Sequence, residues 1–589
     1  MTGTRGKAYL NTLPTTVSII EHQTLAEAQR TSVLPTLSEQ VVGLFVTSRA
    51  LLGYGVSDGA AGGISIRGMQ SGNGRVMVLI DGHPQYQGIF GHSIADAYQT
   101  LGVERIEVVR GPASMLYGSN GMGGVVNIIT RQAPTRGTNT DYHAAWGSYG
   151  TFEASVANRV RTGKFHSNIG GQYARTDGHR PRLGFEEYNF IAKLGYDFSA
   201  HWQAEASTDV TYFRAEYPGS TQTPLFDARQ KILRGQASVS LDNDYGFTAG
   251  RISVFHNWGN HKINDGHAAE AAPKANLFRS SDALSGLNFY QRAVLFNGNT
   301  LTVGFDWTRI NGEAWNQRLS DGARVGTSID TTLHELAAYI DVRQDITAWL
   351  TAEAGLRYDH HSQTGNTLVP QGGVSVRLPY NALVKATVGK GFRNPTLREL
   401  YMWTPANSSL KPERLMNYEI AFSQHLPQAR LRYGINAYLL HADNLIQTAM
   451  IEDRPRNINT GEARNYGIEA EATWEVCPML TLTTNHSFVY MHTPLLDTPR
   501  YKGYLAATYR SKRLQITLGG QAIGHLYTAV GETEKRESFV LLNAVVSYRL
   551  LPCMEVYAKG DNLLAQRYET RLGYPLPRTT FMAGLNLAF

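Results

Sequence analysis

The residues from Gly82 to His92 place four ring side chains in one short segment: His83, Tyr86, Phe90 and His92. Imidazole nitrogens and phenolate oxygens bind haem iron as axial ligands, and aromatic rings stack on a planar macrocycle. The segment therefore predicts a site for such a macrocycle, with His83 and His92 as ligands of its iron. An alternative interpretation stays open, because a histidine that follows Asp-Gly is often only a turn residue.

The remainder of the sequence carries few of the patterns that catalysis requires. It contains no HExxH motif and no clustered carboxylate pair at usable spacing, which predicts a protein that is not an enzyme and holds no prosthetic group. Isolated carboxylates at Asp321, Asp443 and Asp453 could bind Ca²⁺ in loops, although such residues are usually only solvated. A net charge of +6 over 589 residues, without basic runs, argues against nucleic acid as a partner.

The elements that must position these residues change character near Pro134. Before it, short apolar runs alternate with glycine-rich connections, which predicts a small mixed domain with a helix around residues 38–46. After it, alternation with a period of two takes over. In residues 351–359 every second side chain is apolar, and the side chains between them include Glu353 and Arg357.

This alternation allows two interpretations, a soluble sandwich with an apolar interior or a transmembrane barrel with apolar residues facing lipid. No run approaches the ~18 apolar residues of a membrane-spanning helix. Tight turns are predicted near Thr347, Leu378, Pro427, Pro478, Lys512 and Pro552. Their spacing of about 41 residues per hairpin corresponds to about 11 hairpins in residues 135–589. The sequence therefore predicts an all-β membrane protein, with a ~22-stranded antiparallel transmembrane β-barrel over 135–589 and an N-terminal α+β domain over 1–134.

Blocks in both parts of the chain follow the order and spacing of a known family. They are ISIRGM (64–69), VLIDG (78–82), VERIEVVRGP (103–112), GVVNIIT (124–130), GFRNPTLRELY (391–401), NSSLKPE (407–413), NYGIEAE (465–471) and the terminal Phe589. The first four resemble the plug domain of TonB-dependent outer-membrane receptors and transporters. The later blocks resemble the family's FRAP and NPxL boxes, one barrel strand and the aromatic C-terminus. The resemblance covers effectively the whole chain and is strongest to the haem/cobalamin-receptor-like branch.

The resemblance implies an active transporter in the bacterial outer membrane, with the plug inside the barrel lumen, lipid around the barrel and TonB as the energising partner. It implies import of a scarce iron chelate, haem first, with cobalamin or a ferric siderophore as alternatives. A passive porin, the alternative from another class, lacks a plug, and residues 1–133 argue against it. Haem receptors usually carry a histidine between the two boxes, whereas residues 399–410 contain none, which weakens the haem interpretation.

Ligand is expected at the extracellular face, between the plug loops and the barrel loops. The resemblance therefore adds two residues to the predicted ligand-binding set of His83, Tyr86, Phe90 and His92. These are Tyr54, in the glycine-rich segment 51–63, and Tyr401, between the two boxes.

Two arginines of the plug blocks, Arg67 and Arg110, would be costly buried charges unless carboxylates pair with them. The resemblance implies that Glu469 and Glu471 on the barrel wall are these partners. The alternative interpretation is that both glutamates face water in the lumen.

The family's TonB box pairs with TonB by strand addition and normally precedes a stretch like Thr2-Gly3-Thr4-Arg5. Only Met1 stands before that stretch in this sequence. The sequence therefore predicts that the signal peptide and the box are absent from this chain. A haemophore-like surface lipoprotein that delivers the cargo is a further partner that the sequence leaves open.

Overall fold

The computed structural model describes residues 13–56, 60–133 and 135–589. The prediction about the segment before Thr2 lies outside these residues. So does Pro134, at which the sequence analysis divides the chain. The strands are numbered β1 to β30 and the α-helices α1 to α4 in chain order.

The N-terminal domain is a small mixed domain built on two sheets. Its elements are β1 (Val17–Glu21), α1 (His22–Glu27), α2 (Leu34–Gln40), β2 (Leu44–Val46), β3 (Ile64–Ile66), β4 (Met69–Gln70), β5 (Val76–Ile80), β6 (His83–Pro84), β7 (Val103–Arg110), α3 (Ser114–Tyr117) and β8 (Gly124–Thr130). One sheet has the order β1-β7-β8-β5-β6, in which β5 and β8 run parallel, and β2, β3 and β4 form the other. Every residue of β5 is buried, so this strand lies at the centre of the domain.

The helix predicted around residues 38–46 is displaced, because α2 begins earlier and the end of that range is the strand β2. Pro35 lies in the first turn of α2, where its fixed φ suits a helix and its missing N–H costs no hydrogen bond. The helix ends before Val41 and Val42, β-branched residues that favour extended backbone. Gly43 then turns the chain with a φ of 71°.

Twenty-two antiparallel strands follow and form a closed barrel, which confirms the predicted fold class. They are β9 (Gly137–Gly147), β10 (Thr151–Thr162), β11 (Phe165–Thr176), β12 (Phe185–Asp197), β13 (Trp202–Glu216), β14 (Arg229–Asp244), β15 (Thr248–Asn264), β16 (Asn276–Ala293), β17 (Asn299–Arg318), β18 (Arg324–Asp345), β19 (Leu350–His361), β20 (Gly365–Leu378), β21 (Ala382–Arg393), β22 (Glu413–Leu426), β23 (Leu431–Ile451), β24 (Arg454–Cys477), β25 (Leu480–Met491), β26 (Pro499–Arg510), β27 (Leu514–Ala529), β28 (Lys535–Leu551), β29 (Met554–Asp561) and β30 (Thr580–Ala588). Pairing of β30 with β9 closes the cylinder.

The barrel wall inverts the burial pattern of a soluble protein. In β19, Leu356 and Tyr358 are 42 % and 50 % exposed, whereas Arg357 and Asp359 are 4 % and 2 % exposed. Apolar side chains therefore point away from the barrel, and charged side chains point into its filled interior. This arrangement confirms the transmembrane interpretation, because lipid is the environment that suits an outward apolar face.

The two ends of the barrel differ in how their strands are joined. Ten connections at one end, here called the short-turn end, contain two to five residues, and the six predicted tight turns lie among them. The opposite end, the long-loop end, carries the long connections 394–412 and 562–579, and the first of these contains α4 (Leu397–Tyr401). No helix in the described ranges is long and apolar enough to cross a membrane.

Candidate functional site

The segment with the four predicted ring side chains runs along the inner wall toward the long-loop end. His83 lies at its start and is only 3 % exposed. Its Nε2 is 3.2 Å from the Oγ of Ser253, and its ring centroid is 5.4 Å from that of Phe255. Ser253 lies in the half of β15 that is nearer the short-turn end. His83 is therefore enclosed between the N-terminal domain and the wall, away from the face at which ligand is expected.

Tyr86 is also buried, and burial raises the pKa of its phenol well above the ordinary value. Its ring belongs to an apolar cluster that includes Ile89, Phe255 and Leu397. Its carbonyl oxygen accepts a hydrogen bond from Arg234 Nη2 at 3.3 Å. A raised pKa disfavours the phenolate that would bind iron, so this placement favours a packing role for Tyr86.

Phe90 and His92 lie farther along the segment. Two further rings, Phe278 on the wall strand β16 and Trp403 in the connection 394–412, extend the series toward solvent. The ring centroids are 5.8 Å apart for His92 and Phe90, 6.5 Å for Phe90 and Phe278, and 5.6 Å for Phe278 and Trp403. We call these four residues the ring ladder. The guanidinium of Arg398 lies 5.4 Å from the centre of the Phe90 ring, a distance typical of a cation–π contact. Trp403 is 48 % exposed, so the ladder leads from the interior to solvent.

The surroundings of His92 favour its neutral form. Its Nδ1 is 3.0 Å from the carbonyl oxygen of Ser93, and burial lowers the pKa of the imidazole below the ordinary value. Neutral imidazole is the form that binds metals and stacks without a desolvation penalty for charge. His92 is thus better placed than His83 for contact with a ligand.

Residues 394–412, called the outer shelf below, present Arg398 and Trp403 to the ladder. The helix α4 within the shelf is short, so side chains must satisfy the backbone groups at its start. Thr396 and Glu399 do so in a capping box: Thr396 Oγ1 accepts the Glu399 N–H at 3.2 Å, and Glu399 Oε2 accepts the Thr396 N–H at 2.8 Å. A cap of this kind contributes ~0.5–2 kcal/mol, which fixes the shelf backbone.

The outer shelf packs directly on the N-terminal domain. The Arg398 N–H donates to the carbonyl of Ile89 at 2.9 Å, and Leu397 is buried in the same apolar cluster as Ile89. Tyr401, two residues before the exposed ladder ring, donates from its hydroxyl to Gln363 Oε1 at 2.6 Å. Partial burial raises the pKa of the Tyr401 phenol. Tyr401 therefore lies beside the ladder but already has a protein partner.

Tyr54 lies on a different loop of the N-terminal domain, residues 51–56. Its N–H and that of Gly55 each donate to the carboxylate of Asp96 at 2.8 Å. Burial raises the pKa of Asp96 and of Tyr54. Apolar side chains of this loop pack with Phe185 of the wall. The structure therefore does not bring Tyr54 into the ring ladder.

The four residues of the predicted ion cluster lie together inside the barrel. Arg67 donates from Nε and Nη2 to the two oxygens of Glu469, both at 2.9 Å. Arg110 Nη1 donates to Glu469 Oε2 at 2.9 Å, and its Nη2 is 3.5 Å from Glu471 Oε1. Glu469 is 1 % exposed at its side chain, whereas Glu471 is 47 % exposed. The two glutamates thus differ, because one is locked in ion pairs and the other still contacts solvent.

The cluster contains a third carboxylate, that of Glu419, which lies outside the sequence blocks named above. Glu419 Oε2 accepts from Arg67 Nη1 at 2.6 Å, and the Arg67 guanidinium lies 4.2 Å from the Tyr438 ring centre. Glu419 lies on β22 of the wall, and its partner Arg67 belongs to the N-terminal domain. The alternation of residues in β22 predicts that the Glu419 side chain points inward, but it does not predict which residue pairs with Glu419.

A second ion cluster links the N-terminal domain to the outer shelf. Glu413, fully buried, accepts from Arg75 Nε and Nη2 at 2.8 and 2.7 Å and from Arg393 Nε at 2.7 Å. Arg393 also donates to both oxygens of Glu399 at 2.9 and 3.0 Å. Glu399 is the residue that caps α4. Arg393 and Glu413 lie in the blocks 391–401 and 407–413, but no sequence pattern predicts that these side chains pair.

The carboxylates considered for Ca²⁺ lie apart from one another. Asp321 accepts from Arg318 Nη1 at 2.7 Å, while Asp443 and Asp453 are exposed on β23 and in the turn after it. The described part of the chain contains no group of three or more His, Cys, Asp or Glu side chains that could hold a metal ion. Ca²⁺ in these loops stays a prediction.

Family models match both parts of the chain. The model described as "TonB-dependent Receptor Plug Domain" matches residues 10–125, and the model described as "TonB dependent receptor-like, beta-barrel" matches residues 126–563. The chain belongs to the TonB-dependent receptor family. Its N-terminal domain is the plug, its short-turn end is periplasmic and its long-loop end is extracellular. Members of this family are outer-membrane transporters energised through TonB rather than enzymes.

Curated relatives of this receptor include proteins named "Vitamin B12 transporter BtuB". That of Photobacterium profundum is 23 % identical over 595 residues, covering 97 % of this chain and 92 % of the relative. That of Vibrio vulnificus is 25 % identical over 600 residues with the same coverage.

Solved structures share the fold of this receptor. A mutant of the ferric enterobactin receptor PfeA of Pseudomonas aeruginosa, in complex with enterobactin, has a TM-score of 0.82 at 18 % identity and covers 98 % of this chain and 99 % of that one. The pyoverdine-bound FpvA of P. aeruginosa has a TM-score of 0.85 at 16 % identity, over 100 % of this chain and 88 % of that one. At these identities, the likeness concerns the fold alone.

Proposed function

We propose that this transporter imports a cobalamin, which binds at the extracellular face on the ring ladder. The ladder is the observation that carries the proposal. Its four rings form a continuous series that ends in the exposed Trp403, which suits the face of a macrocycle. The relatives named vitamin B12 transporters, which match 97 % of the chain, support the same cargo.

The positions of the two histidines favour a cobalamin over haem, the cargo ranked first from the sequence. Haem is held through its iron by an axial side chain. His83 is enclosed by Ser253 and Phe255, which leaves His92 as the imidazole near the extracellular face. A cobalamin carries its own axial base on cobalt, so a receptor can hold it through the face and the rim of the macrocycle without supplying a metal ligand.

Amide side chains stand beside the exposed end of the ladder. Gln363 contacts the Tyr401 hydroxyl and donates from Nε2 to the Ser408 carbonyl at 3.0 Å. Asn407 donates to the carbonyl of Asn457 at 2.7 Å. The rim of a cobalamin is rich in primary amides, which pair with side-chain amides and backbone groups as both donors and acceptors. The chemistry of the shelf thus matches the chemistry of the rim.

The test is equilibrium binding of cyanocobalamin to the purified receptor, followed by tryptophan fluorescence. Trp403→Ala removes the exposed ring of the ladder and should weaken binding about tenfold, which corresponds to about 1.4 kcal/mol. Trp474→Ala is the matched control, because Trp474 is similarly exposed but lies on β24 near the periplasmic end. An equal loss of cyanocobalamin binding in Trp403→Ala and Trp474→Ala would contradict the proposed site.

Titration with haemin and with ferric enterobactin under the same conditions compares the three candidate cargoes. A shifted Soret band that is lost in His92→Ala would replace cobalamin by haem. Saturable binding of the ferric siderophore alone would assign the receptor to that class. A surface lipoprotein that delivers the cargo stays a prediction of the sequence.

A further inference from the structure

Three cavities follow one side of the boundary between the plug and the barrel wall. The upper cavity, of about 160 Å³, lies beside the extracellular loop 562–579. The lower cavity, of about 670 Å³, extends to Pro552 and Cys553 in a periplasmic turn. A cavity of about 70 Å³ lies between them, and Arg30 lines all three. We call this side of the boundary, where the plug faces β27 to β30 and β9 to β12, the seam.

We propose that the seam is the route by which cargo crosses the barrel and that Arg30 is its gate. Arg30 Nη2 donates to Glu39 Oε1 of the plug at 2.9 Å and to Asp561 Oδ1 of the wall at 3.0 Å. One side chain thus ties plug to wall at the point where the three cavities meet. The inference rests on the transport function of the family and not on the identity of the cargo.

The ion pairs of Arg30 keep some exposure to solvent, which distinguishes them from those of Arg67. Side-chain exposure is 18 % for Arg30, 13 % for Glu39 and 23 % for Asp561. The Arg67–Glu469 pair is instead 0 % and 1 % exposed and is braced by Glu419. A pair that keeps some contact with water costs less to separate than a dry pair, because water can solvate the charges as they part. The tie at Arg30 is therefore easier to open than the tie at Arg67.

The sizes of the cavities indicate where the route is closed. The lower cavity falls within the ~300–1,000 Å³ range of small-molecule sites, so it can hold a cargo in transit. The middle cavity is an order of magnitude smaller and lies at Arg30. Transport then requires a movement that widens the seam at Arg30, and a movement elsewhere would leave this constriction in place.

The lining of the lower cavity is compatible with a hydrophilic cargo. Gln29 bridges plug and wall, because its Nε2 is 3.4 Å from Glu555 Oε1 and its Oε1 accepts from Asn586 Nδ2 at 3.1 Å. Gln172 Nε2 donates to Gln99 Oε1 at 2.8 Å. Amide groups exchange partners readily, because each one offers donors and an acceptor.

The test measures passive ion conductance of the receptor in planar lipid bilayers. Cys477→Ser and Cys553→Ser give a cysteine-free parent, into which Arg30→Cys is introduced. We expect Arg30→Cys to raise the conductance at least tenfold above the parent. A cationic methanethiosulfonate reagent, which restores a positive charge at the same position, should return the conductance to the parent level, whereas the anionic reagent should not.

Arg510→Cys in the same parent is the matched control. Arg510 pairs with Glu27 of the plug at 2.7 Å; Glu27 borders only the lower cavity, away from the constriction at Arg30, and Arg510 borders none of the three. Its conductance should stay at the parent level. Asp561→Asn, which removes the wall partner of Arg30, is a second variant and should also conduct. Folding of each variant is checked by heat-modifiable migration on gels.

Two results would overturn the proposal. One is a conductance of folded Arg30→Cys and Asp561→Asn equal to that of the parent. The other is an equal rise in Arg510→Cys, which would indicate general loosening of the plug. Because no cargo is used, a wrong assignment of the cargo leaves these outcomes unaffected.

Discussion

Glu469 and Glu471 offer a matched pair of substitutions for measuring what holds the plug in place. They lie two residues apart on β24, and both contact Arg110. Glu469 is 1 % exposed and accepts three hydrogen bonds from Arg67 and Arg110, whereas Glu471 is 47 % exposed and makes one contact of 3.5 Å. The two variants Glu469→Ala and Glu471→Ala therefore differ in burial and bonding but not in strand or chemistry.

Removal of Glu469 leaves two buried guanidinium groups short of a partner. Loss of one member of a buried ion pair costs about 3–5 kcal/mol, and Glu419 can compensate Arg67 only in part. Loss of a hydrated partner such as Glu471 costs ~1 kcal/mol or less. Every 1.4 kcal/mol changes an equilibrium constant about tenfold, so local opening of the plug should rise roughly a hundredfold or more in Glu469→Ala and less than tenfold in Glu471→Ala.

Hydrogen exchange of the plug, followed by mass spectrometry on the receptor in detergent, measures this opening. The amides of β3 and β7 are the reporters, since Arg67 follows β3 and Arg110 ends β7. Glu469→Gln is the isosteric control, because it keeps the volume and part of the hydrogen bonding while losing the charge. Equal exchange rates in Glu469→Ala and Glu471→Ala would refute the reasoning that burial of the ion pair sets its value.

Three further predictions concern the shelf, the ladder and the wall. Thr396→Ala removes the N-cap side chain of α4 and should destabilise the outer shelf by ~0.5–2 kcal/mol, seen as faster exchange in residues 394–412. Burial lowers the pKa of His92 among Arg234, Asp282 and Arg398, so docking of its loop should be complete above about pH 6.5 and weaken as the pH falls below that value. His92→Gln should flatten this pH dependence in exchange data corrected for intrinsic rates. Leu356→Arg puts a charge on the lipid face and should cost about 2–4 kcal/mol near the bilayer midplane, measured as loss of the folded, heat-modifiable barrel.

The alternation of apolar and polar residues predicts the barrel wall, because this pattern can be read within each strand alone. Residues 351–359 reveal which side chains share a face, and the tight turns reveal where each strand ends. The helix predicted at residues 38–46 is misplaced because residues 38–40 are the end of α2 and the apolar residues after them form a turn and the strand β2. A local pattern therefore gave the barrel more reliably than the plug.

The contacts between plug and wall were beyond the reach of such patterns. Inward direction is encoded in each strand, but the rotation and depth of the plug inside the lumen decide which inward side chains meet. His83 illustrates this, since its position against Ser253 depends on β15, 170 residues later in the chain. Phe278 and Trp403 join the ladder for the same reason, although neither lies in the segment that suggested a ring site.

The ring ladder and the plug share one set of ion pairs, which bears on how ligand could act on the plug. Glu399 caps the shelf helix and pairs with Arg393, and Arg393 shares Glu413 with Arg75 beside β5. All of these side chains are largely buried, so a shift of the shelf cannot be absorbed by water and must change the geometry at Glu413. Coupling of this kind is reciprocal: if ligand binds at the ladder, as we propose, and stabilises one shelf position, it favours one arrangement around Arg75, and a pull on the plug changes the affinity at the ladder by the same coupling free energy.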